Sequence, residues 1–329
     1  MSQDKPPYRV PSMDEIRALP WNGFNAISTF SGTGGSSLGY RMAGFRVIWA
    51  SEFIDAARDS YNANKAPYTI VDGRDIRNVT AEDILTAIKM QPGELDLFDG
   101  SPPCASFSTA GKRAKGWGKV KQYSDKAQRT DDLFFEYTRL LRGLQPKTFV
   151  AENVSGLVKG AAKGYFIEIM RELKACGYLV ACRVLDAQWL GVPQARQRTI
   201  FVGVREDLGL DPVHPKPLPY RYSVREALPW IEKSTRDDRG TFGKGKEITD
   251  KPAPTVLADS VGTHWVEAET EKRKFSIAEL KRICAFPDDF ILTGTYAQQW
   301  ERMGRAVPPV MMYHIAATVR DQILAKIKA

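Results

Sequence analysis

The sequence predicts an α/β fold, a doubly wound sheet with helices on both faces, joined to a second, small and irregular domain. Short apolar runs alternate with helical segments between residues 24 and 204, as expected of a sheet built from strand–helix–strand units. A glycine-rich turn at residues 32–35 joins the first strand to the first helix. After Val204 the alternation gives way to proline, glycine and charged residues.

The opening unit of the sheet lies near the start of the chain. Residues 24–30 predict a buried strand that ends at the glycine turn. Residues 36–44 fit a helix that closes on a glycine, and residues 45–51 fit a second strand. Thr80 is a suitable cap for a helix over residues 81–90.

The same alternation continues along the chain. Further strands are predicted at residues 95–98, 147–151, 178–185 and 199–204, with helices at 131–144 and 165–176. Ser276 and Glu279 form a capping box that begins another helix, and residues 311–327 have a helical period.

Three parts are predicted from these changes in pattern. Residues 1–204 form the main domain with an N-terminal arm, residues 205–271 form the small irregular domain, and residues 272–329 return to the main domain. Trp230 and Trp265 need burial, so we interpret the small domain as folded.

Composition indicates a globular protein with a polyanionic partner. Of 329 residues, 43% are hydrophobic and 26% charged, which excludes a fibrous or disordered chain. The net charge of +8 favours a phosphate-rich partner. With no apolar start and no apolar stretch of about 18 residues, we expect a cytoplasmic protein without a membrane partner. The 4 cysteines form no CxxC pair, so neither a disulfide scaffold nor a metal site is predicted.

Two carboxylates and the glycine turn follow predicted strands near the start of the chain. The turn lets backbone N–H groups approach a ligand, although its spacing is not that of dinucleotide enzymes and a structural turn is the alternative. Glu52 ends the second strand, where a carboxylate commonly accepts ribose hydroxyls; a solvated strand end is the alternative. Asp75 is suited to reading an adenine amino group or to capping its turn.

Cys104 is the candidate nucleophile. It follows Pro102 and Pro103 just beyond a predicted strand, at the crevice where parallel sheets bind substrates. The basic segment at residues 105–129 then carries 7 Lys and Arg residues against one aspartate. Long aperiodic segments are usually functional, so we interpret it as a lid over a phosphate backbone, with a solvated loop as the alternative.

A carboxylate and two arginines mark further strand ends. Glu152 ends a predicted strand, and a carboxyl group in an apolar setting can hold a proton near neutral pH and act as a general acid. Alternation places Gln194, Arg196 and Arg198 on one side of their strand. Inward-facing arginines are costly to bury unpaired, so we expect them to meet Glu152 or a ligand oxygen rather than form surface salt bridges.

Together these motifs resemble those of the DNA (cytosine-5)-methyltransferases, in the family's order and along nearly the whole chain. The matching segments are residues 30–39, Pro102-Pro103-Cys104, Glu152-Asn153-Val154, Gln194-x-Arg196-x-Arg198, residues 283–290 and residues 304–309. The resemblance implies the Rossmann-like sheet of methyltransferases that depend on S-adenosylmethionine (SAM), with the small domain as the target-recognition region.

The resemblance also implies SAM as cofactor. Phe30 would stack on the adenine, Phe53 would pack on the other side of the cofactor, and Glu52 would hold the ribose. Asp75 and Ile76 would contact the adenine edge. The remaining implied cofactor residues are Gly32, Thr33, Gly34, Gly35, Pro102, Val307 and Arg305.

The implied reaction begins when Cys104 adds to C6 of a cytosine flipped out of double-stranded DNA. Glu152 would protonate N3, Arg198 would bind the base carbonyl, and Arg196 would orient Glu152. The implied DNA contacts are Ser108, Lys112, Arg113, Asn153 and Gln194. A monomer with a cognate restriction endonuclease as partner is expected.

Arg305 departs from the family pattern, which usually has asparagine there. A guanidinium close to a sulfonium is unfavourable unless an anion intervenes. Either Arg305 points to solvent or to a DNA phosphate, or it accepts a carboxylated donor such as carboxy-SAM. A DNA-binding regulator without catalysis and a tRNA methyltransferase are further alternatives. The first conflicts with the intact site motifs and the second with the absence of a late Cys-Phe-Thr motif.

Overall fold

The computed structural model describes residues 5–103, 121–123, 126–128, 132–158, 163–236, 246–258, 264–267 and 272–327. The strands in this part of the chain are β1 Asn25–Thr29, β2 Arg46–Ser51, β3 Ile70–Asp72, β4 Leu97–Gly100, β5 Lys121–Tyr123, β6 Lys126–Gln128, β7 Thr148–Val154, β8 Tyr178–Asp186, β9 Gln194–Ala195, β10 Gln197–Arg205, β11 Lys233–Arg236, β12 Lys246–Glu247, β13 Ala253–Pro254, β14 His264–Glu267 and β15 Lys272–Lys274.

Its helices are α1 Met13–Ala18, α2 Gly35–Met42, α3 Asp55–Asn64, α4 Ala81–Ile88, α5 Leu133–Leu144, α6 Lys163–Lys174, α7 Val224–Ala227, α8 Ile277–Ile283, α9 Tyr296–Arg305, α10 Pro309–Val319 and α11 Ala325–Ile327. The predicted strands and helices are found with small shifts at their ends, and α1, α3 and β3 are among those that the pattern did not reveal. No helix of the described residues combines the length and apolar character needed to cross a bilayer.

The main sheet has seven strands in the order β3-β2-β1-β4-β7-β10-β8. Strand β1 pairs in parallel with β2 on one side and with β4 on the other. The strand order therefore reverses between β1 and β4, and a crevice opens where their carboxyl ends diverge. Open α/β sheets bind their ligands at such a crevice.

Strand β10 departs from the parallel arrangement. It runs antiparallel to β7 and to β8, so β8 and β10 pair without a crossover helix. The antiparallel direction brings the first residues of β10 beside the last residues of β7, and Arg198 lies opposite Val154. The sheet thereby brings the glutamate and arginine segments to the same edge as the crevice.

Helices cover both faces of this sheet, which confirms the doubly wound prediction. On one face α4, α5 and α6 pack around buried residues that include Phe98 and Phe149. On the other face α2 and α10 pack through Tyr40 and Met312.

A four-stranded antiparallel sheet, β12-β11-β14-β15, lies largely in the region predicted to be irregular. Val266 of this sheet belongs to a third core cluster, together with Met13 of α1 and Trp300 of α9. The small region therefore shares its core with the N-terminal arm and the C-terminal segment.

The prediction that Trp230 is buried is wrong, since 56% of this residue is exposed. The Arg282 guanidinium lies 5.1 Å from the centre of its ring, and its indole N–H donates to Glu279. A cation–π contact and a hydrogen bond thus stabilise the Trp230 ring at the surface. Trp265 is half-buried.

Candidate active site

A cavity of about 420 Å³ opens at the carboxyl ends of the parallel strands. Its walls include most of the residues that the sequence assigned to a cofactor site. Those lining residues are Phe30, Gly32, Thr33, Gly35, Glu52, Phe53, Asp75, Ile76, Pro102, Arg305 and Val307. Glu152, Asn153 and Arg198 line the same cavity, so the predicted cofactor and catalytic groups meet in one space.

The glycine turn forms one wall of the cavity, and space is restricted at Gly35. A Cβ atom on Gly35 would lie 2.1 Å from the Val307 carbonyl oxygen. Gly34 has a φ of 98°, in the left-handed region that favours glycine, and it caps α2. Phe30, immediately before the turn, also has a positive φ of 54°, an uncommon conformation for a bulky residue.

Glu52 is held rigidly at the end of β2. Its carboxylate accepts hydrogen bonds from the backbone N–H groups of Gly32 (2.7 Å) and Ile54 (2.8 Å). Burial raises the pKa of Glu52, and the two N–H donors act in the opposite direction. Each carboxylate oxygen keeps unused acceptor capacity. The geometry therefore suits a ligand with adjacent hydroxyl groups.

Asp75 has the capping role that its sequence position allowed, and it also lines the cavity, while its contact with an adenine stays a prediction. Its carboxylate accepts from the backbone N–H of Arg77 (3.0 Å) and caps the short 3₁₀ helix Ile76–Asn78. Arg77 also forms ion pairs with Asp75 (3.0 Å) and Asp132 (2.7 Å). Asp75 is thus fixed in the cavity wall by local contacts.

Glu152 and Arg198 form an ion pair across β7 and β10. The Arg198 Nε atom lies 2.7 Å from Glu152 Oε1, and their side chains are 14% and 11% exposed. Burial lowers the pKa of Arg198, whereas the Glu152 carboxylate raises it. The expectation that an inward-facing arginine meets Glu152 is confirmed for Arg198.

Arg196 has different partners from those expected. Its guanidinium donates to the carbonyl oxygens of Val256 (3.3 Å), Gly304 (3.1 Å) and Arg305 (3.3 Å). Burial lowers the pKa of Arg196 to about 9, so the side chain stays charged at neutral pH. Arg196 therefore holds the chain at Val256 and at residues 304–305, beside the cavity. The contact that orients Glu152 is made by Arg198 instead.

Asn153 and Gln194, both expected to contact DNA, are buried and bonded within the protein. The Asn153 side-chain amide donates to the Pro102 carbonyl oxygen (3.1 Å), which fixes the approach to Cys104. The Gln194 side chain accepts from Val256 N (3.1 Å) and is fully buried. Because their amides bind other segments of the chain, both residues position those segments, and their contacts with DNA stay a prediction.

Arg305 lies beside an anion of its own helix. Its guanidinium pairs with Glu301 at 2.8 Å, one turn earlier on α9. Glu301 therefore balances the positive charge of Arg305 within the protein. That charge was the reason to consider a carboxylated donor, and no observation favours such a donor.

Four predicted site residues, Cys104, Ser108, Lys112 and Arg113, lie outside the described residues, as does most of the predicted lid. The preceding residues Ser101, Pro102 and Pro103 line the cavity, as expected of the approach to the nucleophile.

Several residues at this site were not predicted from the sequence, among them Arg302, Ala258 and Asp99. Arg302 is buried in the cavity wall, and its charge lowers the pKa of Glu52, against the larger effect of burial. The spacing of Arg302 and Arg305 on one helix could have indicated it. Ala258 reaches the cavity from the small region. Asp99 lies buried beneath the cavity, and no sequence signal distinguished it from a turn residue.

Comparison with known proteins agrees with this geometry. The profile of the C-5 cytosine-specific DNA methylase family matches residues 24–252 and 221–321. Type II methyltransferase M.NgoFVII of Neisseria gonorrhoeae is 29% identical over 337 residues, which cover 89% of this chain and 85% of the relative. Type II methyltransferase M1.HphI of Haemophilus parahaemolyticus is 29% identical over 89% of this chain and 86% of the relative.

Solved structures with the same fold include two methyltransferases of the Dnmt2 type. The structure of a Spodoptera frugiperda DNMT2 variant has a TM-score of 0.65 and 17% identity, covering 93% of this chain and 99% of the neighbour. S. pombe Dnmt2 methyltransferase has a TM-score of 0.64 and 16% identity, covering 90% of this chain and 98% of the neighbour. These likenesses show the methyltransferase fold.

The family profile spans far more than half of the chain, including the cavity and the glutamate–arginine pair. This chain belongs to the C-5 cytosine-specific DNA methylase family and is a DNA (cytosine-5)-methyltransferase.

Proposed function

We propose that this enzyme flips a cytosine out of double-stranded DNA and transfers a methyl group from SAM to C5, with Cys104 as nucleophile. The observation that carries the proposal is the Glu152–Arg198 ion pair, which lies in the cavity beside the Ser101–Pro103 approach to Cys104. The pair places a carboxyl group and a guanidinium together where a polar base edge would bind.

The cavity fits SAM on three counts. Glu52 offers acceptors for the ribose hydroxyls, and Phe30 and Phe53 supply aromatic surface for the adenine. The buried Thr33 Oγ1 lines the cavity and has no hydrogen-bond partner among the described residues, as expected of a group reserved for a ligand. When bound, SAM supplies the electrophilic methyl group.

The proposed reaction uses the protein groups in sequence. Cys104 Sγ forms a bond to C6 of the cytosine, which makes C5 nucleophilic. Glu152 donates a proton to N3, and Arg198 holds the base carbonyl through its free donors. After C5 is methylated, a base removes the C5 proton, the Sγ–C6 bond breaks to restore the thiolate, and N3 returns its proton to Glu152.

The DNA partner accounts for the net charge of +8, because basic residues that neutralise phosphates release counterions. We propose that residues 205–271 read the target sequence, since Ala258 of this region reaches the cavity wall. The type II relatives support a cognate restriction endonuclease as partner.

Expression of the enzyme in a bacterial host free of cytosine methylation tests the proposed function. Bisulfite sequencing is expected to find protected cytosines confined to one short sequence motif. The same host with the Cys104→Ser variant should show none. Uniformly converted DNA, despite folded enzyme that binds SAM, would contradict the proposal.

Glu52→Gln is expected to weaken SAM binding by about 10- to 100-fold, the cost of losing a charged acceptor. The amide also leaves one of two backbone N–H donors without an acceptor. Isothermal titration calorimetry with SAM measures the effect, and Glu82→Gln, an exposed change on α4, is the control. Equal affinities in the variant and the wild type would remove Glu52 from the cofactor site.

A further inference from the structure

A carboxyl group that the proposed reaction does not use lies beneath the cavity. Asp99 of β4 is 1% exposed. Its Oδ2 atom accepts a hydrogen bond from the Ser28 hydroxyl (2.7 Å), and its Oδ1 atom accepts one from the Tyr40 hydroxyl (3.0 Å). Both donors are neutral, so neither balances a negative charge on Asp99.

A short hydrogen-bonded path connects Asp99 to the cavity. Ser31 lines the cavity, and its hydroxyl donates to the Ser28 carbonyl oxygen (2.9 Å) and lies 3.2 Å from the Ser28 hydroxyl. Ser28 in turn donates to Asp99. Asp99 is therefore connected to the cavity wall through Ser28 and Ser31, one residue before the last paired position of β1 and β4.

Among the residues that the structure describes, the charged and titratable groups around Asp99 provide no cation. Tyr40 faces it from α2, Tyr61 from α3, Tyr137 from α5 and Glu152 from β7. Burial raises the pKa of Asp99 to about 7, and the Glu152 carboxylate acts in the same direction. Both protonation states are thus populated near neutral pH.

Asp96, immediately before β4, has the usual partner of a buried aspartate, a basic side chain. It is 5% exposed and forms an ion pair with Lys147 at 2.7 Å. In the described part of the chain Asp99 has no such partner, so a cationic group bound in the cavity above it would supply a counter-charge.

We infer that Asp99 makes the cavity selective for a cationic methyl donor over the neutral thioether product. The inference rests on the proposed use of SAM, whose sulfonium is positive, whereas S-adenosylhomocysteine (SAH) carries no charge on sulfur. A positive charge in a low-dielectric cavity stabilises a nearby carboxylate, and a neutral ligand of the same shape does not. Asp99 therefore favours binding of the donor and release of the product.

The sign of the pH dependence follows from linkage. A bound cation lowers the pKa of Asp99, so SAM binding near pH 7 releases protons from the protein. The affinity for SAM relative to SAH should rise as the pH increases towards about 7 and level off above it, where Asp99 is already ionised. The ratio of SAM affinity to SAH affinity is expected to change by about fivefold or more over this pH range, which is the lower end of typical coupling between two binding equilibria.

Calorimetry of the full-length enzyme tests this inference. Titrations with SAM and with SAH, each in two buffers of different ionisation enthalpy, give the number of protons released by each ligand. The wild type should release more protons with SAM than with SAH at pH 7. Asp99→Asn should reduce this difference, and its SAM-to-SAH affinity ratio should lose the rise towards pH 7. Subtracting the variant removes the contribution of the ligands' own amino groups.

Two further variants keep the test decisive. Asp96→Asn, which changes a buried aspartate immediately before the same strand, should retain the wild-type difference in proton release. Tyr40→Phe removes a donor to the charged carboxylate, so the pH at which the affinity ratio levels off should move upward even if Asp99→Asn fails to fold. An unchanged levelling pH in Tyr40→Phe, or equal proton release by both ligands in the wild type, would overturn the inference. Failure of the wild type to bind either ligand would instead contradict the proposed function.

Discussion

Cys104→Ser is expected to lower methyl transfer by at least about 10⁴-fold, the scale of loss when a covalent nucleophile is removed. Serine retains the shape of the side chain, but its hydroxyl is a far weaker nucleophile than a thiolate near neutral pH. Binding to duplex DNA should persist, because phosphate contacts do not involve this sulfur atom. Transfer of a radiolabelled methyl group and an electrophoretic mobility assay measure the two properties.

A trapping experiment identifies the reacting atom directly. DNA that carries 5-fluorocytosine has no C5 proton to lose, so the Sγ–C6 bond should persist and give a complex that resists denaturation. Peptide mapping should place that bond at Cys104. Replacement of Cys284 by serine is a suitable control, since this buried cysteine lies in a core cluster. Activity in Cys104→Ser close to that of the wild type would refute the assigned nucleophile.

Arg198→Met should lower kcat by about 10²- to 10³-fold, as expected when a donor to the reacting base is lost. It also leaves the buried Glu152 without its ion-pair partner, which should cost about 3 kcal/mol in the free energy of unfolding. Single-turnover kinetics with saturating SAM and DNA, together with urea unfolding, measure the two effects.

A double-mutant cycle separates the loss of the ion pair from damage to the strand. Glu152→Gln combined with Arg198→Met removes both charges, and this double variant should be more stable than Arg198→Met alone. Arg183→Met, which changes an exposed arginine on β8, controls for the substitution itself and should leave both measurements unchanged. A single Arg198→Met variant with wild-type stability would show that the pair contributes nothing to folding.

Local signals predicted most of the secondary structure. The capping boxes at Thr80 and Ser276 both begin helices in the structure. The β3 strand escaped notice because it has three residues and a half-exposed pattern. The antiparallel direction of β10 is set by its pairing with β7 and β8, which are formed by other segments of the chain. The alternation of residues within one strand does not indicate that direction.

In the candidate site, too, local patterns predicted some features, and contacts between distant segments decided the others. Residue type and position at strand ends were sufficient to place Glu52 and Glu152 in one cavity, because the carboxyl ends of parallel strands share an edge. The prediction that Arg196 and Arg198 share one strand is wrong, because Arg196 lies at the break between β9 and β10, and the sequence pattern could not assign the partners of either arginine. Gly304 and Arg305, more than a hundred residues later in the chain, supply carbonyl groups that hold Arg196.

By itself, the sequence determined the fold class, the family motifs and the chemical types of the site residues, because these follow from local patterns and ordered spacing. Only the tertiary structure decided that Gln194 and Asn153 are buried, that Glu301 balances Arg305, and that Asp99 lies beneath the cavity. Burial and charge pairing depend on which distant segments pack together, and that information exists only once the chain has folded.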